Sequence, residues 1–140
     1  MVGEQPVSEI MVPRTDIVAL STAASVEENL ERLADSPHTR FPLVGEEMED
    51  FRGIVYVPMV ATHLSDLEDG DTTFEDLAAP PMTVSPETSV SDLIDQFQAE
   101  SQELALVIAD GRVEGLVTAT DAFEEVMGEL EDPMDTEELA

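Results

Sequence analysis

Gly115-x-x-Thr118-x-x-Asp121 is the spacing in this sequence with the clearest chemistry, because it places a threonine and an aspartate where a strand end runs into a helix start. An ionised aspartate accepts two hydrogen bonds and can hold the vicinal 2′ and 3′ hydroxyls of a ribose. A nearby threonine hydroxyl and the amides of a helix N-terminus can reach phosphate. Together they could read a ribonucleotide. The competing explanation is local: Asp121 with Glu124 forms a capping arrangement at the helix start, a common reason for an aspartate there.

The elements that must position these residues come from an internal repeat. Ser25-Val26 falls on Ser89-Val90 at an offset of 64 residues. Val26, Leu30 and Leu33 trace one amphipathic helix, and Val90, Leu93, Ile94 and Phe97 trace its counterpart. A strand follows each helix, Phe41 to Val44 and Leu104 to Ile108. The second strand leads into a tight Asp110-Gly111 hairpin turn, whereas the first turn, Gly45 to Arg52, is longer and acidic. The offset then drops to 62, and Gly53-Ile54-Val55 matches Gly115-Leu116-Val117 as the partner strand. Short helices are expected at Pro58 to Leu64 and Asp121 to Met127. In that register Thr118 and Asp121 fall on Tyr56 and Met59. Capping would be expected in both halves, so the asymmetry implies one competent site, with Tyr56 and Met59 filling the other position, and a single nucleotide per pair.

Each half is therefore a helix, a hairpin and a second helix behind an extended lead-in, Met11 to Leu20 or Met82 to Val84. Neither half could bury its hairpin alone. The boundaries read as residues 7–64 for the first motif, 65–81 for a polar linker with a short turn at Phe74 to Leu77, 82–128 for the second motif, and 129–140 for an acidic tail.

Across 140 residues, 33 Asp and Glu stand against five arginines and no lysine, a formal net charge of −28. The apolar content is enough for one domain with its own core. Such a surface repels nucleic acid and anionic lipid, both held through Lys and Arg contacts to phosphate, and both are excluded as partners. Self-repulsion of this size becomes tolerable when the Debye length falls to about 3 Å in roughly molar salt, which fits a salt-loaded halophile cytoplasm. There is no cysteine, no apolar run of bilayer-spanning length and no signal-peptide layout. A soluble intracellular chain is expected.

Other chemistries find less support. His38 and His63 stand 25 residues apart without metalloprotease spacing, and there is no Gly-x-Ser-x-Gly elbow, so neither metal nor nucleophilic catalysis is expected. One alternative is direct divalent-cation sensing through Glu46, Glu47, Glu49 and Asp50, whose hard oxygens suit magnesium or calcium. Another is a dimerisation module that binds no nucleotide.

Val7-Ser8-Glu9-Ile10-Met11-Val12-Pro13-Arg14, Arg40-Phe41-Pro42, Glu103 to Ile108 and the stretch from Gly115 through Phe123-Glu124-Glu125-Val126-Met127-Gly128-Glu129 resemble the CBS region of CorC-type and cyclin M-type magnesium and cobalt transport proteins. The Met-x-Pro-Arg and Glu-Glu-x-x-Gly-Glu elements are the family-specific parts. The resemblance implies an α/β (α+β) Bateman module: tandem CBS motifs, each with a short sheet and two helices, packed with pseudo-twofold symmetry. It implies an adenine nucleotide, ATP or AMP, bound by Thr118, Asp121, Arg40, Thr39, Pro42, Ile17, Thr120 and Val117. Arg40 is the phosphate partner by virtue of its bidentate guanidinium, and its counterpart is the apolar Leu104. Ile17, Val18, Met82, Leu116 and Val117 are candidates for an apolar adenine slot. Mg2+ would offset the charge of a polyphosphate entering so negative a protein. The family also implies a homodimer joined through helix faces, a cytosolic location, an attached membrane transport domain, and no catalysis.

Overall fold

The computed structural model describes residues 2–139, and side-chain surroundings for residues 2–131. In chain order the elements are β1 (Val12–Pro13), β2 (Leu20–Ser21), α1 (Val26–Ala34), β3 (Arg40–Val44), β4 (Phe51–Tyr56), α2 (Val57–Thr62), α3 (Leu64–Asp69), α4 (Phe74–Leu77), β5 (Thr83–Val84), α5 (Val90–Glu100), β6 (Leu104–Ala109), β7 (Arg112–Thr118) and α6 (Ala119–Leu139). Short 3-10 turns lie at Val7–Glu9 and Arg14–Asp16. They form two compact units, Ile17–Met82 and Met1–Asp16 with Thr83–Ala140.

In the Ile17–Met82 unit, α1 starts where Ser25 accepts a 3.1 Å hydrogen bond from the Glu28 amide, with Glu27 and Glu28 in its first turn and Arg32 in its last. These choices suit the helix dipole at both ends. The helix crosses over between parallel strands β2 and β3, and β3 returns antiparallel as β4. Val26, Leu30 and Leu33 pack against a core of Leu20, Phe41, Leu43, Val55, Val60, Leu67 and Phe74.

Two members of that core, Leu67 and Phe74, come from the stretch expected to be a polar linker. Single apolar residues among acids leave no periodicity to read, yet α3 and α4 each bury one. The helix expected from Pro58 to Leu64 is divided at His63, and Gly70, at φ 79°, ends α3 in the left-handed conformation that favours glycine. Asn29 is a polar residue on the buried face of α1, one turn from Val26 and Leu33 and 2% exposed. Its side chain accepts from the Ser21 amide at 3.0 Å and donates to the Ser21 carbonyl at 2.9 Å, tying β2 to the helix as a strand partner would.

The second unit has a four-stranded sheet in the order β1-β7-β6-β5. Its hairpin turns through Asp110 and Gly111, at φ 53° and 76°, as the Asp-Gly pair predicts. The last helix is longer than the expected Asp121 to Met127: it runs through the stretch read as a tail to Leu139, while Ala140 lies outside the described residues.

The lead-ins are distributed differently from the linear repeat. β1 lies in the lead-in of the first motif but pairs antiparallel with β7 of the second, Val12 opposite Leu116 and Pro13 opposite Gly115. Pro13 tolerates this because it lies on a sheet edge. Conversely Ala79, ahead of the second repeat, exchanges hydrogen bonds of 2.9 and 2.8 Å with Ile54 of β4. Both approaches need glycine. A Cβ on Gly115 would stand 2.5 Å from the Val12 carbonyl oxygen, and one on Gly53 would stand 2.5 Å from that of Ala79.

Candidate functional site

Four of the expected ligand residues, Val117, Thr118, Thr120 and Asp121, lie at the β7–α6 junction; the other four, Ile17, Thr39, Arg40 and Pro42, belong to the Ile17–Met82 unit. The Thr118 hydroxyl oxygen accepts the Asp121 amide at 3.1 Å, so Thr118 caps α6. The competing explanation, a cap formed by Asp121 with Glu124, is not what forms: the backbone of Asp121 donates to Thr118, and its carboxylate stays out of that cap. The hydroxyl proton of Thr118 remains a donor in character, because a hydroxyl both donates and accepts.

Helix amides are less plentiful than the motif suggests. Ala119 donates its amide to the Glu103 carbonyl at 2.9 Å, and Asp121 donates to Thr118. Two of the three amides in the first turn are thus engaged within the protein. The first half repeats the first of these bonds, Val57 to the Thr39 carbonyl at 2.8 Å, but Pro58 follows and no side chain caps α2. The glycine of the motif is common to both halves and is explained by close strand approach. What distinguishes the second half is Thr118 and Asp121.

Thr120 is exposed, Asp121 half-buried, and Val117 fully buried opposite Ala105. In the other unit Thr39 is exposed, Arg40 and Ile17 are half-buried, and Pro42 is buried in β3. Arg40 lies opposite Tyr56, and its guanidinium carbon sits 4.4 Å from the centroid of the Tyr56 ring. This cation–π contact gives the charge a fixed station at the strand entry. Tyr56, the counterpart of Thr118, therefore orients an arginine. Among the adenine-slot candidates, Ile17, Val18 and Leu116 keep exposed surface, whereas Met82 and Val117 are closed off at 1% and 0% exposure.

The carboxylates considered for cation sensing are partly committed. Arg52 donates to both oxygens of Asp50 at 2.8 and 2.9 Å and to Glu75 at 3.2 Å. Those hydrogen bonds, Asp50 first, hold the guanidinium above its ordinary pKa. Among the described residues no three His, Asp or Glu side chains converge as metal ligands, and no helix is long and apolar enough to cross a membrane.

Sequence reading missed the surface of α6. Phe123, Met127 and Leu130 are 57%, 48% and 45% exposed. Cavities of about 540 and 320 Å³ adjoin this surface; the larger is bordered by Thr120, Phe123 and Met127, and the smaller lies between α5 and α6. The signal was the i, i+4, i+7 spacing of those three residues, which sequence alone cannot distinguish from a core stripe.

The CBS domain family model matches residues 7–65 and 74–128. The magnesium and cobalt efflux protein CorC of Pasteurella multocida is 31% identical over 140 residues, 99% of this chain and 46% of that protein. This chain thus spans less than half the length of that relative. The CBS domain of a bacterial CNNM/CorC family Mg2+ transporter, solved in complex with ATP, superposes with a TM-score of 0.81 at 27% identity, covering 90% of this chain and 89% of that one. A CBS-domain pair with bound AMP from Klebsiella pneumoniae gives a TM-score of 0.75 at 26% identity, over 89% of this chain and 99% of that one. With both repeats matched and the mixed α/β fold shared, the chain belongs to the CBS domain family as a tandem pair of such domains.

Proposed function

We propose that this chain is a regulatory module that binds an adenine nucleotide, as the cytosolic part of a CorC-like magnesium and cobalt transporter. The observation that carries this reading is the Asp121 carboxylate, left out of the α6 cap by Thr118 and absent from the equivalent first-half position, Met59. Asp121 accepts from the ribose diol and Thr118 donates to the ligand. At the same junction the exposed Thr120 is a further contact and the fully buried Val117 supports the site from the core, while Arg40, stationed over Tyr56 in the Ile17–Met82 unit, is the proposed phosphate partner, with Ile17, Thr39 and Pro42 as the other proposed contacts. The relatives support the ligand class, since solved CBS domains similar to this chain hold ATP or AMP.

In a chain of net charge −28, Mg2+ offsets the charge of a polyphosphate, so MgATP is the preferred form. The module binds and does not turn its ligand over. Coupling follows if nucleotide has different affinities for two arrangements of the chain. A homodimer would cover the exposed Phe123, Met127 and Leu130 of α6.

Calorimetric titration of AMP, ADP and ATP, with and without Mg2+, in concentrated KCl tests the reading. Saturation near one nucleotide per chain supports it. Heat from Mg2+ alone, with none from any nucleotide, overturns it in favour of direct cation sensing.

A further inference from the structure

The Glu-Glu-x-x-Gly-Glu element plays no part in the nucleotide reading, yet the structure gives two of its acids a definite contact. Glu129 accepts the Gly3 amide at 2.7 Å, and Glu125 accepts from the Gln5 side-chain amide. The same short segment serves α5 on its other side. The Gln5 and Gly3 carbonyls accept the Val90 and Ser91 amides, each at 2.9 Å, while Ser89 caps the Asp92 amide at 3.0 Å. The first three amides of α5 are thereby satisfied, two of them by residues 3–5. Gly3 is buried at φ 80°, and an added Cβ would stand 3.0 Å from that of Ser91, so the segment is seated closely.

We propose that Glu125 and Glu129 form a latch that straps residues 3–5 across α5 onto α6, and that α6 passes the ligand state of its first turn to the start of the chain. Asp121, Glu125 and Glu129 recur at four-residue intervals, which puts them on one stripe of the helix. A shift of α6 when Asp121 is occupied is thus delivered to the Gly3 and Gln5 contacts. The latch stands on the contacts themselves; its response to ligand rests on the nucleotide reading above.

Amide hydrogen exchange on the whole chain tests both parts. In Glu125→Ala/Glu129→Ala, the Gly3 amide should exchange at least about tenfold faster, the scale of losing a hydrogen bond to a charged acceptor. The Glu125→Gln/Glu129→Gln variant, which retains acceptor oxygens, should recover part of the protection, separating the latch from general loss of folding. Equal Gly3 exchange in wild type and the alanine variant overturns the latch. MgATP should change Gly3 exchange in wild type but not in the alanine variant. If calorimetry on the same sample shows binding and wild-type Gly3 does not respond, transmission through α6 is overturned. If nothing binds, the nucleotide reading fails, while the ligand-free comparison still decides the latch.

Discussion

Thr118 and Asp121 share the first turn of α6 but should fail in different ways when replaced. Thr118→Val keeps the shape and removes the oxygen that accepts the Asp121 amide at 3.1 Å. Loss of such a cap costs about 1 kcal/mol, which for a chain of this length lowers the midpoint of thermal unfolding by roughly 4 °C. Asp121→Ala leaves that cap bond in place, because the bond uses the backbone. It forfeits about 0.5 kcal/mol of favourable interaction with the helix dipole, and in a chain of charge −28 the removal of one carboxylate also relieves repulsion. Its stability should therefore change by less than about 1 kcal/mol. Binding reverses the ranking. Two ribose hydroxyls lose an ionised acceptor, each bond contributing about 1.5 kcal/mol or more, so affinity should fall roughly 100-fold. Thr118→Val should lose less than about tenfold. Thermal melts monitored by circular dichroism and calorimetric titration, both in about 2 M KCl, measure the two effects. An Asp121→Ala protein that binds MgATP within threefold of wild type would refute the reasoning, as would a Thr118→Val protein with an unchanged melting midpoint.

Gly115→Ala should destabilise the protein by about 1–3 kcal/mol in urea unfolding, because its methyl group would meet the Val12 carbonyl oxygen at 2.5 Å; Gly53→Ala should cost a similar amount against Ala79. Asn29→Ala leaves the Ser21 amide and carbonyl without their side-chain partners and should cost about 2–3 kcal/mol, with faster exchange at the Ser21 amide as the local readout. Raising KCl from about 0.1 to 2 M should raise the melting midpoint by roughly 10 °C or more as screening shortens the reach of 33 acidic side chains; a flat salt response would count against self-repulsion as a major term.

What the sequence made legible was local. The stripes of Val26, Leu30 and Leu33 and of Val90, Leu93 and Phe97 announced α1 and α5, and Asp110-Gly111 announced its hairpin, because periodicity and turn chemistry act over a few residues. The Thr118-to-Asp121 spacing also indicated a strand–helix junction, though not that threonine would be the cap. Two-residue strands carry no period, so the pairing of Val12–Pro13 with β7 was invisible. Leu67 and Phe74 were hidden by their acidic neighbours, and Asn29 broke the polarity rule by replacing a strand's hydrogen bonds with its own. The bidentate guanidinium of Arg40 and its apolar counterpart Leu104 are legible in the sequence, but its station over Tyr56 depends on cross-strand register, which a one-residue slip would change.

The exchange of lead-ins bears on how the chain acquires its structure during synthesis. Ile17–Met82 is a continuous stretch, so all the strand partners within it are present once that stretch has left the ribosome. The other unit is discontinuous: β1 must wait for Gly115 and Leu116, about a hundred residues later, before it has a partner. Such long-range closure is slow and leaves an unpaired strand edge exposed meanwhile. β1 is only two residues long and contains Pro13, which lacks an amide to donate, so the waiting edge offers little for another chain to join.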